Sequence, residues 1–337
     1  MNEQIMRTFA VKYNDPARIQ SASGGLFPAV AKYILEKTNG YVCGCVLENM
    51  KPIHIVSSQW TDVQRMQDSK YVQSSMGDCY KEIAHLLKEE KWVLFTGTSC
   101  QVAGLINYLT ALRVSRDNLL TIDFFCHGVP SPKIWHDFLK FYESEKHHTP
   151  VGYRFRGKKY GWRNHHHHLI YREDDREDDR EDDREDDWSY AASHLWNAIF
   201  FSNLCLRPSC YKCNFATYLK PADITMGDFW GIDTILPEFY DNMGCSVAIV
   251  RNHTAMEVLD AIENLEKQEV PLEDGIKKQA NAFKPSTKPE AREAFWNDYR
   301  MMSFKKVAHK YFAYKATRRL KCWVHRAMFQ FGLRKDP

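Results

Sequence analysis

At 337 residues, 44% of them hydrophobic and 13% aromatic, the chain can bury one large core or two moderate ones, which excludes disorder over its whole length. No apolar run approaches the roughly 20 residues that cross a bilayer, and the charged stretch Met1–Asp15 holds no apolar signal segment, so a cytoplasmic location is expected. The net charge of +3 conceals two opposed segments: four Arg against twelve acids in residues 172–187 (−8), and eleven Lys or Arg against one acid in residues 300–337 (+10).

A short strand is predicted over Thr8–Lys12. After a polar loop, Ser21-Ala22-Ser23-Gly24-Gly25 opens a helix with Phe27, Val30, Ala31, Ile34 and Leu35 at helical spacing, which Asn39-Gly40 ends. Strands are expected over Tyr41–Leu47 and Ile53–Ser57. A polar stretch then leads to Ser69-Lys70-Tyr71-Val72-Gln73-Ser74 and a helix over Cys79–Glu90. Trp92–Thr96 reads as a strand, followed by the loop Gly97-Thr98-Ser99-Cys100-Gln101 and a helix to Leu112. Leu119–Phe125 repeats the pattern, with the loop Cys126-His127-Gly128-Val129-Pro130-Ser131-Pro132 and a helix to Glu145. Strand, loop, helix, twice over, predicts a right-handed parallel crossover. Both loops then sit at the carboxyl ends of strands about 5 Å apart. Cys100 and Cys126 are thus an expected spatial pair, at the edge where open α/β sheets bind ligands.

Val151–Arg156 and Trp188–Ala191 are expected to pair as a hairpin, interrupted by His165–His168 and four Arg-Glu-Asp-Asp units. Both the His run and the charge repeat read as solvated. A helix over Ser193–Phe201 leads to Cys205-Leu206-Arg207-Pro208-Ser209-Cys210-Tyr211-Lys212-Cys213. Asp223 to Gly231 reads as a polar turn, and Ser246–Val250 as a buried strand. Helices are expected over Thr254–Glu266 and Pro289–Arg300, and in the basic tail. The fold class is α/β: a mixed sheet around a parallel strand–loop–helix core, with a mostly helical C-terminal region.

Ten Cys in a cytosolic chain point away from disulfides. Cys210 and Cys213 have the spacing of two ligands on one turn, and Cys205 extends it to Cys-x4-Cys-x2-Cys. Zinc and iron–sulfur are equally compatible with that spacing. Cys100 and Cys126 are best placed to complete either site, and the remaining Cys read as buried hydrophobes. Ser21–Gly25 and Gly97-Thr98 each precede a helix and suit an anion, although ordinary capping and turn formation use the same residues. Lys70, beside Tyr71, Gln73 and Ser74, could neutralise a pyrophosphate. Asp223 and Asp228 could contact a ribose or cap a turn. Neither a dinucleotide fingerprint nor a Walker loop is present. The basic tail could lie on an anionic membrane, dock a partner or pack on the body; with no recognition module beside it, a nucleic-acid partner is not expected.

Taken in order, six stretches resemble the beta subunit of coenzyme F-420 hydrogenase/dehydrogenase, a family of flavin and iron–sulfur oxidoreductases. They are Ser21-x-Ser-Gly-Gly25, Ser69-Lys-Tyr-Val-Gln-Ser74, Gly97-Thr-x-Cys-Gln-Val-Ala-Gly104, Cys126-His-Gly-Val-Pro-Ser131, Arg207-Pro-Ser-Cys-Tyr-x-Cys213 and Asp223-Ile-Thr-x-Gly-Asp-Phe-Trp-Gly231. The resemblance implies FAD and one 4Fe-4S cluster. Cys100, Cys126, Cys210 and Cys213 would be the cluster ligands, with Cys205, outside the family pattern, in reserve. Flavin contacts would come from Ser21, Ser23, Gly24 and Gly25, from Lys70, Tyr71, Gln73 and Ser74, from Gly97 and Thr98, and from Asp228. It further implies an N-terminal family domain over 1–88, a flavin and iron–sulfur domain over 89–255 with a low-complexity insertion at 165–187, and a helical region with the basic tail over 256–337. The redox partner would be ferredoxin or another oxidoreductase subunit. The version resembled is a bacterial type without the ferredoxin-like module ahead of Ser21, of the kind that accompanies cell-surface polysaccharide biosynthesis. Position 99 is Ser where the family usually has Pro, and the acidic repeat is no family feature. These departures leave a second expectation, a zinc-stabilised, non-catalytic accessory protein in polysaccharide assembly.

Overall fold

The protein is described here by a computed structural model, in which residues 5–146, 149–158, 161–163, 166–172 and 187–312 are described. In chain order the elements are β1 (Arg7–Tyr13), α1 (Ala17–Gln20), α2 (Leu26–Thr38), β2 (Tyr41–Glu48), β3 (Lys51–Ser57), α3 (Trp60–Met66), α4 (Cys79–Lys88), β4 (Val93–Thr96), α5 (Ser99–Ala111), β5 (Leu119–Phe124) and α6 (Pro132–Lys146). Then follow β6 (Thr149–Gly157), β7 (His166–Arg172), α7 (Asp187–Phe201), β8 (Ile224–Asp228), α8 (Ile232–Ile235), β9 (Ser246–Val250), α9 (His253–Ala261), β10 (Leu265–Glu269), α10 (Leu272–Ile276), α11 (Arg292–Met301) and α12 (Phe304–Tyr311).

Eight strands form one mixed sheet in the order β10-β1-β9-β8-β5-β4-β2-β3. Its centre, β2-β4-β5-β8, is parallel. β9, β1, β10 and β3 each join antiparallel. Side chains alternate across a strand, and here the alternation divides two cores. Val42, Leu94, Leu120 and Ile122 pack with α2 and α9 on one face. Cys43, Val93, Phe95 and Leu119 pack with α4 and α5 on the other. Burial on both faces explains why these central strands read as continuous apolar runs. A third core, dense in aromatics, joins α6, α7, α11 and α12 to the separate hairpin β6-β7 through Trp135, Phe138, Tyr153, Trp196 and Phe295.

The α/β class and the crossover agree with expectation, and several local assignments do not. The polar stretch after β3 contains α3, because Val63 and Met66 turn inward while the rest of the helix faces out. The partner of β6 is β7, with Tyr153 opposite Leu169 and Arg154 opposite His168. Trp188–Ala191 begins α7 instead of a strand. Within the His run, His167 is buried and not solvated: it is 3% exposed, and its Nδ1 lies 3.2 Å from Tyr153 Oη. Asp223 to Gly231 holds β8 where a turn was expected, since pairing with β5 and β9 outweighs the turn chemistry of its Gly and Asp. The helix expected over Thr254–Glu266 stops at Ala261, and β10 follows because β1 offers it an open edge. Part of the tail packs on the body, with Val307, Ala308 and Phe312 buried and Phe304 against Phe141. The acidic repeat over 173–186 and the tail over 313–337, which includes Cys322, lie outside the described residues.

Candidate functional site

Parallel strands share a carboxyl edge. β2, β4, β5 and β8 end there at Glu48, Thr96, Phe124 and Asp228. β1 and β8 are both antiparallel to β9, so β1 also ends on that edge, at Tyr13. The loops that leave β1, β4 and β5 at this edge carry Ser21–Gly25, Gly97–Cys100 and Cys126, and Asp228 ends β8, while Lys70–Ser74 and Cys205–Cys213 come from the segments after α3 and α7.

After β4, Gln101 Oε1 accepts hydrogen bonds from Thr98 N (2.9 Å) and Thr98 Oγ1 (3.0 Å), closing the first turn of α5. Thr98 Oγ1 lies 3.1 Å from the exposed Cys100 Sγ. After β5, the loop of Cys126 is strapped to the segment before Cys210. Arg207 N donates to the Val129 carbonyl at 2.8 Å, and Ser131 N to the Cys205 carbonyl at 3.0 Å. Pro208 then starts a short 3-10 turn over Pro208–Lys212, a first-turn position where its missing N–H costs nothing. The strap brings Cys210 so close that a methyl group on Gly128 would lie 3.2 Å from Cys210 Cβ. Cys100, Cys126, Cys210 and Cys213 consequently share one electrostatic neighbourhood. Burial pushes the Cys126 thiol up to about 12, with Cys210 and Cys100 adding to it. Burial likewise raises Cys210, helped by Cys213 and Cys100. Lys220 stands beside them, its Nζ donating to Phe215 O (2.6 Å) and Ser99 Oγ (3.1 Å). Burial depresses this lysine, while Asp123, Cys126 and Cys213 favour its charge. Among the described residues, no three His, Cys, Asp or Glu side chains converge as ligands of one metal ion. Cys205 points elsewhere: its thiol is fully buried in the aromatic core, 3.6 Å from the Ile199 carbonyl, and burial lifts it to about 12.

The segment from Lys70 to Ser74 fans out. Lys70 Nζ donates to the carbonyls of Arg65 and Met66, each at 3.0 Å, and also to those of Gln67 and Asp68, so it caps the end of α3. Tyr71 stacks on Phe200 at 4.3 Å, and Phe200 in turn contacts His127 at 5.1 Å. Gln73 lines a surface cleft with Ser131 and Arg207. Ser74 Oγ accepts from Gln101 Nε2 at 2.9 Å, which ties this segment to the Gly97-Thr98 turn and to Cys100.

The Ser-Gly-Gly loop lies against the ends of β1 and β9. Ser21 Oγ donates to Gln67 Oε1 (2.9 Å) and Ser23 Oγ to the Cys245 carbonyl (2.9 Å). Gly24 N donates to Ser246 Oγ (2.9 Å), and Gly25 takes a left-handed φ of 86° to enter α2. The loop meets Asp228 at the end of β8, whose carboxylate is opposed by burial but held below the usual range by Arg156, Trp162 and Ser23. Arg156 Nη1 reaches Asp228 Oδ2 at 2.8 Å and Tyr71 Oη at 3.4 Å. Its Nη2 is buried and without a partner. Beside it, Lys158 Nζ donates to the carbonyls of Ser23 (2.7 Å) and Arg18 (2.8 Å), and burial, then Arg18, lowers it to about 7. Ser23 thus meets Asp228, and Asp228 meets Tyr71 through Arg156. Neither Arg156 nor Lys158 nor Lys220 was singled out from the sequence, where each is one basic residue in a stretch with no spacing signal. Asp223, considered beside Asp228, serves the sheet: it accepts from Thr121 N and Oγ1 and from Asn252.

The family model describing the C terminus of the coenzyme F420 hydrogenase/dehydrogenase beta subunit matches residues 90–274, more than half of the chain. No curated protein matches the sequence. Among solved structures, a chain of the F420-reducing NiFe hydrogenase complex from Methanosarcina barkeri, studied as a xenon derivative, is similar over 90% of this chain and 94% of its own, at 14% identity and a TM-score of 0.51. At that identity the likeness concerns the fold, and it extends to the strands and helices ahead of residue 90. The matched span itself holds the four grouped Cys, Lys220, Arg156 and Asp228. The chain belongs to the coenzyme F420 hydrogenase/dehydrogenase beta-subunit family.

Proposed function

We propose that this protein is an iron–sulfur flavoprotein oxidoreductase that passes electrons between a 4Fe-4S cluster and FAD. The observation that carries the reading is the meeting of Cys100, Cys126, Cys210 and Cys213, from three separate loops, at the carboxyl edge of one sheet. Thiolates are the donors that iron–sulfur clusters take. A cluster spreads its ligands over separate iron corners, so thiols that are grouped but do not converge on one ion suit it. Lys220 and Arg207 would offset part of the negative charge that deprotonated thiols bring. On the flavin side, the unpartnered Nη2 of Arg156 is a buried donor of the kind a phosphate or ring carbonyl satisfies. Tyr71 and Asp228 hold that guanidinium in place, and Ser74 of the same segment as Tyr71 is tied through Gln101 to the Thr98 turn beside Cys100. Flavin accepts a hydride or single electrons, so the pair would join a one-electron donor to a two-electron substrate.

Anaerobic purification followed by an absorbance spectrum and iron analysis tests this. Flavin and about four irons per chain are expected; a colourless protein holding one zinc would support the accessory role instead. The motif resemblance supports service to cell-surface polysaccharide biosynthesis, with ferredoxin or another oxidoreductase subunit as partner, and the complex named for the similar structure supports a protein partner. Segments 1–88 and 89–255 are proposed as the two family domains, followed by a helical region with the basic tail over 256–337. For the basic tail, contact with an anionic membrane is proposed for residues beyond Phe312; sedimentation with anionic vesicles should then fall in a truncation after that residue, and equal sedimentation would discard the idea.

A further inference from the structure

α11 places Arg292, Trp296 and Arg300 at i, i+4 and i+8, on one side of the helix. That side faces Arg207 and Gln73 across an open cleft of roughly 600 Å³. The three guanidinium groups have little to neutralise them. Arg207 has no side-chain partner among the described residues. Among the described residues, Arg300 Nη1 donates to Asn297 Oδ1 alone, at 3.1 Å. Arg292 is braced by Tyr211 Oη (2.9 Å) and the Leu206 carbonyl (3.0 Å), and it lies over the Tyr211 and Trp296 rings at 5.2 and 5.6 Å. Among the described lining residues, the one carboxylate, Glu293, is engaged by Lys288 at 3.3 Å. Three like charges converging on one cleft repel each other, and a ligand with several oxyanion groups removes that repulsion while matching the planar fork of each guanidinium. The cleft is also large enough for more than a single phosphate, and the Trp296 ring gives it an apolar wall.

We propose that this cleft binds a metabolite-sized organic anion bearing two or more phosphate or carboxylate groups. Arg292, Trp296 and Arg300 lie beyond the span that matches the family model, and Arg207 and Ser131 on the facing wall lie within it. Arg207 also stands near Cys210, whereas Arg292, Trp296 and Arg300 belong to α11 and need no metal at the thiols to meet an anion.

Isothermal titration of the full-length protein, with whatever cofactors it retains, tests the proposal using pyrophosphate and citrate as probes and acetate as a single-charge reference. At least one of the two probes should bind saturably and more tightly than acetate. Preference for pyrophosphate assigns a phosphorylated ligand, and preference for citrate a polycarboxylate. In Arg207→Gln/Arg300→Gln the affinity should fall about tenfold or more, while Lys37→Gln/Lys51→Gln, which removes equal charge from other exposed positions, should bind as the parent does. Arg207 and Arg300 are both exposed, so the double variant is expected to fold, and Arg300→Gln alone serves as a second variant. Four results would overturn the proposal: no binding of either probe, undiminished binding by the arginine variants, equal loss in the lysine control, or binding of a glutamate-rich peptide without binding of either small probe.

Discussion

A Gly24→Ala substitution puts a methyl group where the backbone leaves no room for one. An alanine Cβ there would stand 2.5 Å from Ser246 N and closer still to the Val11 carbonyl oxygen. Overpacking usually costs about 1–3 kcal/mol, because neighbouring side chains can yield. Here the obstructing atoms are main chain in β1 and β9, so the loop itself must lift. It would lose the Tyr13 N to Gly24 O bond (2.8 Å) and the Gly24 N to Ser246 Oγ bond (2.9 Å), at about 1 kcal/mol each. The expected destabilisation is therefore about 3–5 kcal/mol. Gly77→Ala is the control: its φ of +50° is left-handed, but nothing lies within 4 Å of the new methyl, so only backbone strain of about 1–2 kcal/mol applies. Urea unfolding of the full-length proteins, followed by tryptophan fluorescence, compares the two. If Gly24→Ala unfolds at the same urea concentration as Gly77→Ala, the tight seating of this loop is wrong.

Cys210→Ser/Cys213→Ser should remove most of the iron from anaerobically purified protein, whereas Cys205→Ala, which alters only a buried thiol in the aromatic core, should keep it at a stability cost of about 1 kcal/mol; an iron-replete double variant would move the cluster elsewhere. Arg156→Met should cost about 3–5 kcal/mol, because it strands the Asp228 carboxylate without its counter-ion. Arg156→Met/Asp228→Asn should recover much of that, and a double variant no more stable than the single one refutes the pairing. Lys158 is held near pH 7 in the folded protein while an unfolded lysine keeps its proton to about 10.4. Between those values the unfolded chain binds more protons, so stability rises with pH; below about 7 both states are protonated and the buried charge is felt in full. Lys158→Met should flatten that rise, which urea midpoints measured across pH 7–10 would show, and parallel profiles for the two proteins would count against it.

The parallel centre was legible because its signal is local: β4 and β5 are short apolar runs, each followed at once by a loop and a helix. The nearness of Cys100 and Cys126 followed from that topology alone. The spacing of Cys210 and Cys213 pointed to a ligand turn, and only the strap from Arg207 to Val129 shows how that turn reaches the Cys126 loop. Cys205, held in reserve on its spacing, turns into the aromatic core, a direction that a spacing rule cannot see. β8 and β10 were hidden for a related reason. Their residues favour a turn or a helix by themselves, and their strand form comes from partners far away in sequence. Arg156 and Lys158 sit in a hairpin whose true second strand was masked by the His run, so their approach to Asp228 had no local trace.

The position of β1 has a consequence for how the protein is made. It lies between β9 and β10, with Phe9 flanked by Ala248 and Glu269. At roughly 5–20 residues per second, a ribosome needs on the order of ten seconds or more after finishing β1 to deliver either neighbour. Throughout that wait the apolar strand has both edges open, the condition in which nascent chains associate wrongly. The loop carrying Ser23 and Gly24 cannot take its place until Cys245 and Ser246 arrive, so whatever that loop holds can be loaded only after nearly three quarters of the chain has been synthesised. A nascent chain stalled before residue 246 should therefore be a substrate for chaperones and proteases, and one released after Glu269 should escape both.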